Sequence, residues 1–274
     1  MVIRLLIILA VAYAGACLLV FVLQRRMLYF PVRQTTESAL QDAARANLTP
    51  WKDAAGRILG WMSRHSSGKA QGTLLTLHGN AGSALDRTYF LPLFQSEGSP
   101  EAWDVVLLEY PGYGPRDGTP EETALVSAAV EAIDQLRKES TRPVFVLGES
   151  LGSAIAALAV AQRGHDVQAL LLVTPLKNTA AVARRHYPVI PSFLVRDTLR
   201  TDQALEQLRM PVAFMIAGKD EVVFPDLGMD MYSAYQGPKR LWVDSGAGHN
   251  TLDFAPGRGP WPEIMSFLTG SSGS

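Results

Sequence analysis

Six short apolar runs constrain the fold of this chain more than any other feature. Each run is four or five residues long, and segments with a helical pattern separate the runs. The runs are continuous rather than alternating in polarity, which is typical of parallel strands with helices on both faces. The pattern predicts an α/β fold with a mostly parallel sheet, to which residues 56–64 are expected to add an earlier antiparallel strand. The six predicted strands are 73–77, 105–109, 144–147, 170–173, 212–216 and 240–243.

The N-terminus carries a second strong pattern, 19 consecutive uncharged residues at positions 5–23. A helix of this length measures roughly 28 Å, close to the hydrocarbon core of a bilayer. We interpret residues 1–28 as a retained, single-pass membrane anchor. Two alternatives are a cleaved signal peptide, whose apolar region is normally shorter, and a lipoprotein signal at Cys17, after which a polar sequence would be expected. Arginines flank both ends of the run, so the charge pattern does not assign the side of the membrane.

A glycine-rich turn follows the predicted strand 144–147. Its sequence, Gly-Glu-Ser-Leu-Gly at 148–152, leads into a helical pattern rich in small residues. A G-x-S-x-G sequence between a strand and a helix is typical of a tight turn that exposes the serine hydroxyl. The start of the helix also favours developing negative charge. We therefore predict that Ser150 is a nucleophile.

Two later loops supply the groups that a serine nucleophile needs. Asp220 follows the strand 212–216, and His249 follows the strand 240–243. Serine requires a neutral imidazole as its base and a carboxylate that orients the imidazole, and the chain order Ser, Asp, His suits both. Glu221 and Asp244 are alternatives to Asp220, but neither has its Gly-x-Asp placement after the strand. The histidines that we interpret as structural or solvated are His65, His165 and His186.

The loop after strand 73–77 reads His-Gly-Asn-Ala-Gly at 78–82. It is small enough for main-chain amides to face a substrate oxygen. We predict an oxyanion hole formed by the backbone N–H groups of Asn80 and Leu151. For His78 we favour a role in bracing this loop over a direct part in catalysis.

Taken together, these motifs and Tyr-Pro-Gly-Tyr-Gly at 110–114 resemble the α/β-hydrolase superfamily over nearly the whole chain after the anchor. More narrowly, the anchor, the following Arg-Arg-Met-Leu-Tyr-Phe-Pro and the loop at 78–82 resemble its membrane-tethered, small-cap branch, which includes acyl-protein thioesterases and lysophospholipid hydrolases. The resemblance implies a sheet of the eight-stranded type and hydrolysis of an ester or thioester without a cofactor. It does not identify the substrate, because these motifs build only the reaction centre.

The resemblance also divides the chain. It implies a hydrolase domain at 29–269 with a short cap at about 175–210, and we expect residues 270–274 to form a flexible tail. Basic residues surround an apolar stretch of the cap at 187–195. One hypothesis is that the cap rests on a membrane surface and admits acyl chains; the alternative, which we rank first, is that it only covers the core.

Composition narrows the possible functions. With 25 basic and 26 acidic residues, the chain has no charge excess that would favour a nucleic-acid partner. A single cysteine excludes an intramolecular disulfide and a cysteine metal cluster. The expected partners are an ester substrate, of a small molecule or a lipid, and the membrane. The alternatives to an esterase or thioesterase are an aminopeptidase-like hydrolase, which would need an acidic pocket, and a non-catalytic binding protein.

Overall fold

The computed structural model describes residues 1–65, 70–95 and 103–270. The strands in this part of the chain are β1 (Phe30–Pro31), β2 (Thr49–Lys52), β3 (Ile58–Ser63), β4 (Gly72–Leu77), β5 (Ala81–Gly82), β6 (Trp103–Leu108), β7 (Val144–Glu149), β8 (Ala169–Val173), β9 (Val212–Ala217) and β10 (Lys239–Asp244). The helices are α1 (Val2–Leu28), α2 (Thr36–Arg45), α3 (Leu91–Gln95), α4 (Glu122–Glu139), α5 (Leu151–Arg163), α6 (Thr179–His186), α7 (Thr201–Glu206), α8 (Pro225–Ala234) and α9 (Trp261–Thr269).

Within the described residues, eight strands form one sheet in the order β10-β9-β8-β7-β4-β6-β3-β2. The pairs β2–β3 and β3–β6 are antiparallel, and all other neighbours are parallel. The strands β4, β6, β8 and β9 are buried along their whole length, because helices cover both faces of the sheet. The predicted α/β fold is confirmed, including the early antiparallel strand.

Two apolar layers enclose this sheet. On one face, α4 and α5 pack against the central strands together with α7 and α8. On the other face lie α2, α3, α9 and the 3₁₀ helix Ala84–Phe90. The carboxyl ends of the parallel strands consequently open at one edge, where the loops with the predicted site residues meet.

The start of α4 differs from the sequence interpretation. The capping pattern Thr-Pro-Glu-Glu at 119–122 predicts a helix with Thr119 as N-cap and Pro120 at the first helical position. The helix instead begins at Glu122, and Glu121 is its N-cap. Tertiary contacts explain the shift, because Glu121 pairs with Arg25 and the Glu122 carboxylate accepts the main-chain amide of Leu199 at 3.0 Å. Neither carboxylate is therefore left to close a capping box.

The N-terminal helix α1 has no buried residue, although most of its side chains are apolar. It is the one helix in the described residues that is long and apolar enough to cross a membrane. Its last turn meets the segment 174–211, which joins β8 to β9 and contains α6, the 3₁₀ helix Ser192–Leu194 and α7. At the other terminus, Gly270 ends α9 in the left-handed conformation, and the rest of the predicted tail, 271–274, lies outside the described residues.

Candidate active site

Ser150 stands at the junction of β7 and α5 in a backbone conformation that side chains rarely adopt, with φ 53° and ψ −119°. The two flanking glycines allow this turn. A Cβ at Gly148 would overlap the main chain of Gly152, and a Cβ at Gly152 would overlap the carbonyl oxygen of Leu77 on β4. The turn therefore needs glycine at both positions, and the strain is of the kind found where a functional group is held in place.

Three side chains predicted from the sequence meet beside this turn. The Oγ atom of Ser150 lies 3.0 Å from Nε2 of His249. On the other side of the imidazole, Nδ1 of His249 lies 2.7 Å from Oδ2 of Asp220. Asp220 lies in the loop after β9 and His249 in the loop after β10, as the strand pattern predicted. A serine, an imidazole and a carboxylate are thus connected by two hydrogen bonds.

The surroundings of Asp220 keep it ionised. Its Oδ2 faces His249, and its Oδ1 accepts the main-chain amides of Val222 at 2.8 Å and Val223 at 3.0 Å. Burial alone would raise the pKa of Asp220, but the hydrogen bond and charge of His249 and these two amides outweigh burial and lower it. The carboxylate therefore accepts the Nδ1 proton of His249, which leaves the lone pair on Nε2, toward Ser150.

The predicted oxyanion-hole residues lie beside Ser150. Asn80 and Leu151 both line the cavity that contains Ser150. Leu151 is the first residue of α5, so its amide has no acceptor within the helix. Two residues outside the loop 78–82 hold Asn80 in place. The carbonyl oxygen of Asn80 accepts hydrogen bonds from the amide of Phe30 at 2.9 Å and from the hydroxyl of Tyr113 at 2.8 Å.

The other described histidines have different contacts, although His186 lines the same cavity as Ser150. His78 is 1% exposed and packs against Tyr110, with 4.0 Å between the ring centroids. Burial, helped by the charge of Arg87, lowers the pKa of His78 to about 3, so the ring is neutral. Its Nδ1 is 2.8 Å from the carbonyl oxygen of Gly79, within the loop that carries Asn80. His78 therefore braces this loop.

The rival groups have other partners or lie on the surface. Glu221 is exposed. Asp244 accepts the main-chain amides of Gly246 and Ala247 and so closes the turn after β10. The exposed His165 contacts Asp166, and His186 contacts the carbonyl oxygen of Val222. His65 follows β3.

An apolar cavity of about 310 Å³ leads away from Ser150. One of its walls belongs to the segment 174–211, with Val182, Ile190 and Leu194 among the lining residues. Another wall is the C-terminal part of α1. This size lies at the lower end of the range for small-molecule sites, and apolar walls suit a hydrocarbon group.

A sequence model described as the alpha/beta hydrolase family matches residues 74–269. The chain belongs to the α/β-hydrolase family. An uncharacterized protein of Mycobacterium tuberculosis is 31% identical over 268 residues, which cover 96% of this chain and 93% of that protein. The lysophosphatidylserine lipase ABHD12 of Danio rerio is 26% identical over 211 residues, which cover 70% of this chain and 54% of that lipase. The chain thus aligns with about half of the lipase.

Solved structures agree on the fold. The Pyrococcus furiosus esterase PF2001 superimposes with a TM-score of 0.63 at 16% sequence identity, over 89% of this chain and 97% of that one. The α/β hydrolase GrgF from Penicillium sp. sh18 gives a TM-score of 0.65 at 14% identity, over 81% and 97% of the two chains. At these identities the likeness concerns the α/β-hydrolase framework alone.

Sequence reasoning missed Arg87 and Tyr89, two residues that support the turn of this α/β hydrolase by holding Glu149. Glu149, directly before Ser150, accepts a hydrogen bond from Nε of Arg87 at 2.6 Å and from the hydroxyl of Tyr89 at 2.7 Å. Arg87 also donates to the carbonyl oxygen of Ala81, within the loop that contains Asn80. The sequence gives one partial signal, the charge of Glu149 inside the turn, but the burial that requires a cationic partner and the identity of that partner are set by the fold.

Proposed function

We propose that this chain is a serine hydrolase that cleaves carboxylic ester or thioester bonds through an acyl-enzyme. The observation that carries the proposal is the pair of hydrogen bonds that joins Ser150, His249 and Asp220, at 3.0 and 2.7 Å. In the first step, Oγ of Ser150 attacks the carbonyl carbon and Nε2 of His249 takes its proton. Asp220 holds the imidazole in the required tautomer and stabilises the imidazolium that forms.

The negative charge of the tetrahedral intermediate falls on the former carbonyl oxygen. The amides of Asn80 and Leu151 donate to this oxygen, and the N-terminus of α5 adds a favourable dipole. His249 then returns the proton to the departing alcohol or thiol, which leaves the acyl group on Ser150. A water molecule, deprotonated by His249, then attacks the acyl carbon. The bond from this carbon to Oγ of Ser150 breaks, His249 returns the proton to Oγ, and the acid is released.

The surroundings of Ser150 favour an ester with an apolar acyl group. The cavity beside it is lined mainly by aliphatic side chains. Several relatives carry the name lysophosphatidylserine lipase, which extends the proposal to lipid esters. An aminopeptidase-like activity is disfavoured, because Asp197 is the only carboxylate among the described lining residues and Arg25 already neutralises it.

The proposal is tested by labelling the detergent-solubilised full chain with a fluorophosphonate and by hydrolysis of p-nitrophenyl butyrate. Wild type should label and turn over, whereas Ser150→Ala should not label and should lose at least about 10³-fold in kcat. The control is Ser233→Ala, since Ser233 is an exposed serine on α8. Labelling that persists in Ser150→Ala would contradict the assignment. A folded wild type that neither labels nor turns over would favour a non-catalytic binding protein.

We further propose that residues 1–28 anchor the hydrolase domain, 29–269, in a membrane. The support is the length and apolarity of α1, none of whose residues is buried. In membrane preparations the chain should resist carbonate extraction, and intact-mass measurement should find its N-terminus uncleaved and its Cys17 unmodified. A mass that corresponds to loss of the apolar run would instead identify a signal peptide.

A further inference from the structure

The anchor helix takes part in the cavity of the active site. Val20, Gln24, Met27 and Leu28 of α1 line the same apolar space as Ser150. A flexible tether would have no fixed position relative to the catalytic serine. Here the final two turns of α1 form one wall of the space that an acyl group would occupy.

Polar contacts hold α1 against the cap in this position. Arg25 donates through Nε and Nη2 to the two carboxylate oxygens of Asp197, at 2.9 Å each, and also pairs with Glu121. Gln24 donates to the carbonyl oxygen of Leu194 at 3.1 Å and accepts the amide of Arg196 at 2.7 Å. A bidentate arginine–carboxylate pair fixes orientation as well as distance, so α1 and the cap are joined as one unit.

The contact between α1 and the apolar stretch 187–195, here termed the cap tip, continues far along the helix. The hydroxyl of Tyr13 donates to the carbonyl oxygen of Val189 at 2.7 Å. Tyr13 lies ten residues before Leu23, where the apolar run ends. Ten helical residues span about 15 Å, half of a hydrocarbon core of about 30 Å. With α1 across a bilayer, the cap tip therefore lies within the leaflet next to the hydrolase domain.

The side chains of the cap tip suit this depth. Val189 is 73% exposed and Phe193 is 84% exposed, so neither packs in the protein core. Arginines adjoin both ends of the cap tip, with Arg184 and Arg185 before it and Arg196 after it. Apolar residues bounded by cations are typical of a segment whose ends reach the headgroups.

At six of its nine positions the main chain of the cap tip leaves no amide unpaired, which lowers the cost of placing this segment in lipid. Pro188 and Pro191 have no N–H group. Arg196, directly after the cap tip, donates its amide to Gln24. Four more amides donate to carbonyl oxygens of the cap, those of Tyr187, Ile190, Leu194 and Val195.

We propose that the substrate is a membrane lipid ester whose acyl chain passes from the bilayer into the cavity that α1 and the cap tip line together, and so reaches Ser150. The inference rests on the proposed ester hydrolysis and names its substrate class. The acyl chain moves from the hydrocarbon of the bilayer into an apolar cavity, so it is never exposed to water. The anchor is accordingly part of the binding site, and its inner face selects for chain length.

The first experiment narrows the cavity by a substitution in α1. Val20→Trp adds a bulky ring to the cavity wall, whereas the control Val22→Trp places the same ring on a helix position that is 62% exposed and outside the cavity lining. Full-length protein in phosphatidylcholine nanodiscs is assayed with p-nitrophenyl butyrate and p-nitrophenyl palmitate. The ratio of kcat/KM for palmitate to that for butyrate should fall at least tenfold in Val20→Trp and stay unchanged in Val22→Trp.

Equal ratios in wild type and Val20→Trp, with butyrate still hydrolysed, would overturn this inference and leave the proposed function intact. Failure of the wild type to label and to hydrolyse either ester would instead remove the proposed function. The two failures are therefore distinguishable.

The second experiment measures the depth of the cap tip and does not depend on activity. In a Cys17→Ala background, Val189→Cys and Glu206→Cys are labelled with an environment-sensitive fluorophore in nanodiscs that contain doxyl lipids. The fluorophore at 189 should be quenched most by doxyl groups deep in the acyl chain, whereas the exposed position 206, on α7, should not be quenched. Equal quenching at the two positions would overturn the placement of the cap tip in the leaflet.

Discussion

Replacing Asp220 by asparagine tests how the structure holds His249. Oδ1 of Asp220 accepts two main-chain amides, from Val222 at 2.8 Å and Val223 at 3.0 Å, so the carbonyl oxygen of asparagine must take that position. Its NH₂ group then points at Nδ1 of His249, where Oδ2 lies at 2.7 Å in the native chain. Because an amide nitrogen cannot accept a proton, Nδ1 must become the acceptor and the proton must move to Nε2.

This change of tautomer removes the base. Nε2 would then present N–H to Ser150 instead of a lone pair, although the distances hardly change. A wrong tautomer of this kind costs about 10³–10⁴-fold in kcat, or about 4–5.5 kcal/mol of transition-state stabilisation. KM should change little, because Asp220 is not among the residues that line the cavity.

The assay is hydrolysis of p-nitrophenyl butyrate by the full chain in detergent, with kcat and KM measured separately. The matched control is Glu221→Gln, which alters the exposed carboxylate next in the chain and should stay within about twofold of wild type. Asp220→Asn that keeps more than a tenth of the wild-type kcat would refute this reasoning. An equal loss in Glu221→Gln would show that the loop as a whole, and not the carboxylate of Asp220, is responsible.

Three further outcomes are expected. Gly152→Ala should prevent folding or strongly lower the midpoint of thermal unfolding, because its Cβ would overlap a main-chain oxygen of β4. The control Gly164→Ala, at the other end of α5, should be tolerated, because a Cβ there would lie 3.6 Å or more from its neighbours. Equal stability of the two variants would contradict this packing argument. Burial lowers the pKa of His78 from 6.5 to about 3. Between these pH values His78 binds a proton in the unfolded chain but not in the folded chain, so stability is lost as pH falls from 6.5 toward 3. By pH 4.5 the free energy of unfolding should fall by about 2–3 kcal/mol from this cause. His78→Asn should therefore flatten the dependence of the unfolding midpoint on pH in this range. An unchanged slope would contradict the role assigned to His78. Arg25→Met leaves the carboxylate of Asp197 buried without its partner and should cost about 1–3 kcal/mol in thermal unfolding, part of which Arg25→Met with Asp197→Asn should restore; additive losses would show that the pair is not coupled.

Local pattern was sufficient for the framework of this protein. Buried parallel strands require continuous apolar runs, so the strands that hold the site could be predicted within about two residues. The carboxyl ends of parallel strands lie at the same edge of the sheet, so the loops that follow them meet there. The proximity of Ser150, Asp220 and His249 could therefore be predicted although these residues are far apart in the chain. Asn80 and Leu151 followed from the same rule, because they adjoin the ends of β4 and β7.

Contacts between distant segments were beyond the reach of local pattern. The start of α4 depends on the pairing of Glu121 with Arg25 and on the hydrogen bond from the amide of Leu199 to Glu122. The sequence pattern at 119–122 does not show these distant partners. The support of Glu149 by Arg87 likewise requires the folded chain.

The role of α1 shows the same division. By itself the sequence determined that the chain has an apolar N-terminal helix and an α/β framework with a serine at a strand-to-helix turn, because both depend on residue spacing along single elements. Only the tertiary structure decided that the last turns of this helix form a wall of the cavity at Ser150. That arrangement depends on the pairing of Arg25 with Asp197 and of Gln24 with Leu194, which join residues about 170 positions apart. Such pairs form only when the packed sheet brings the two segments together.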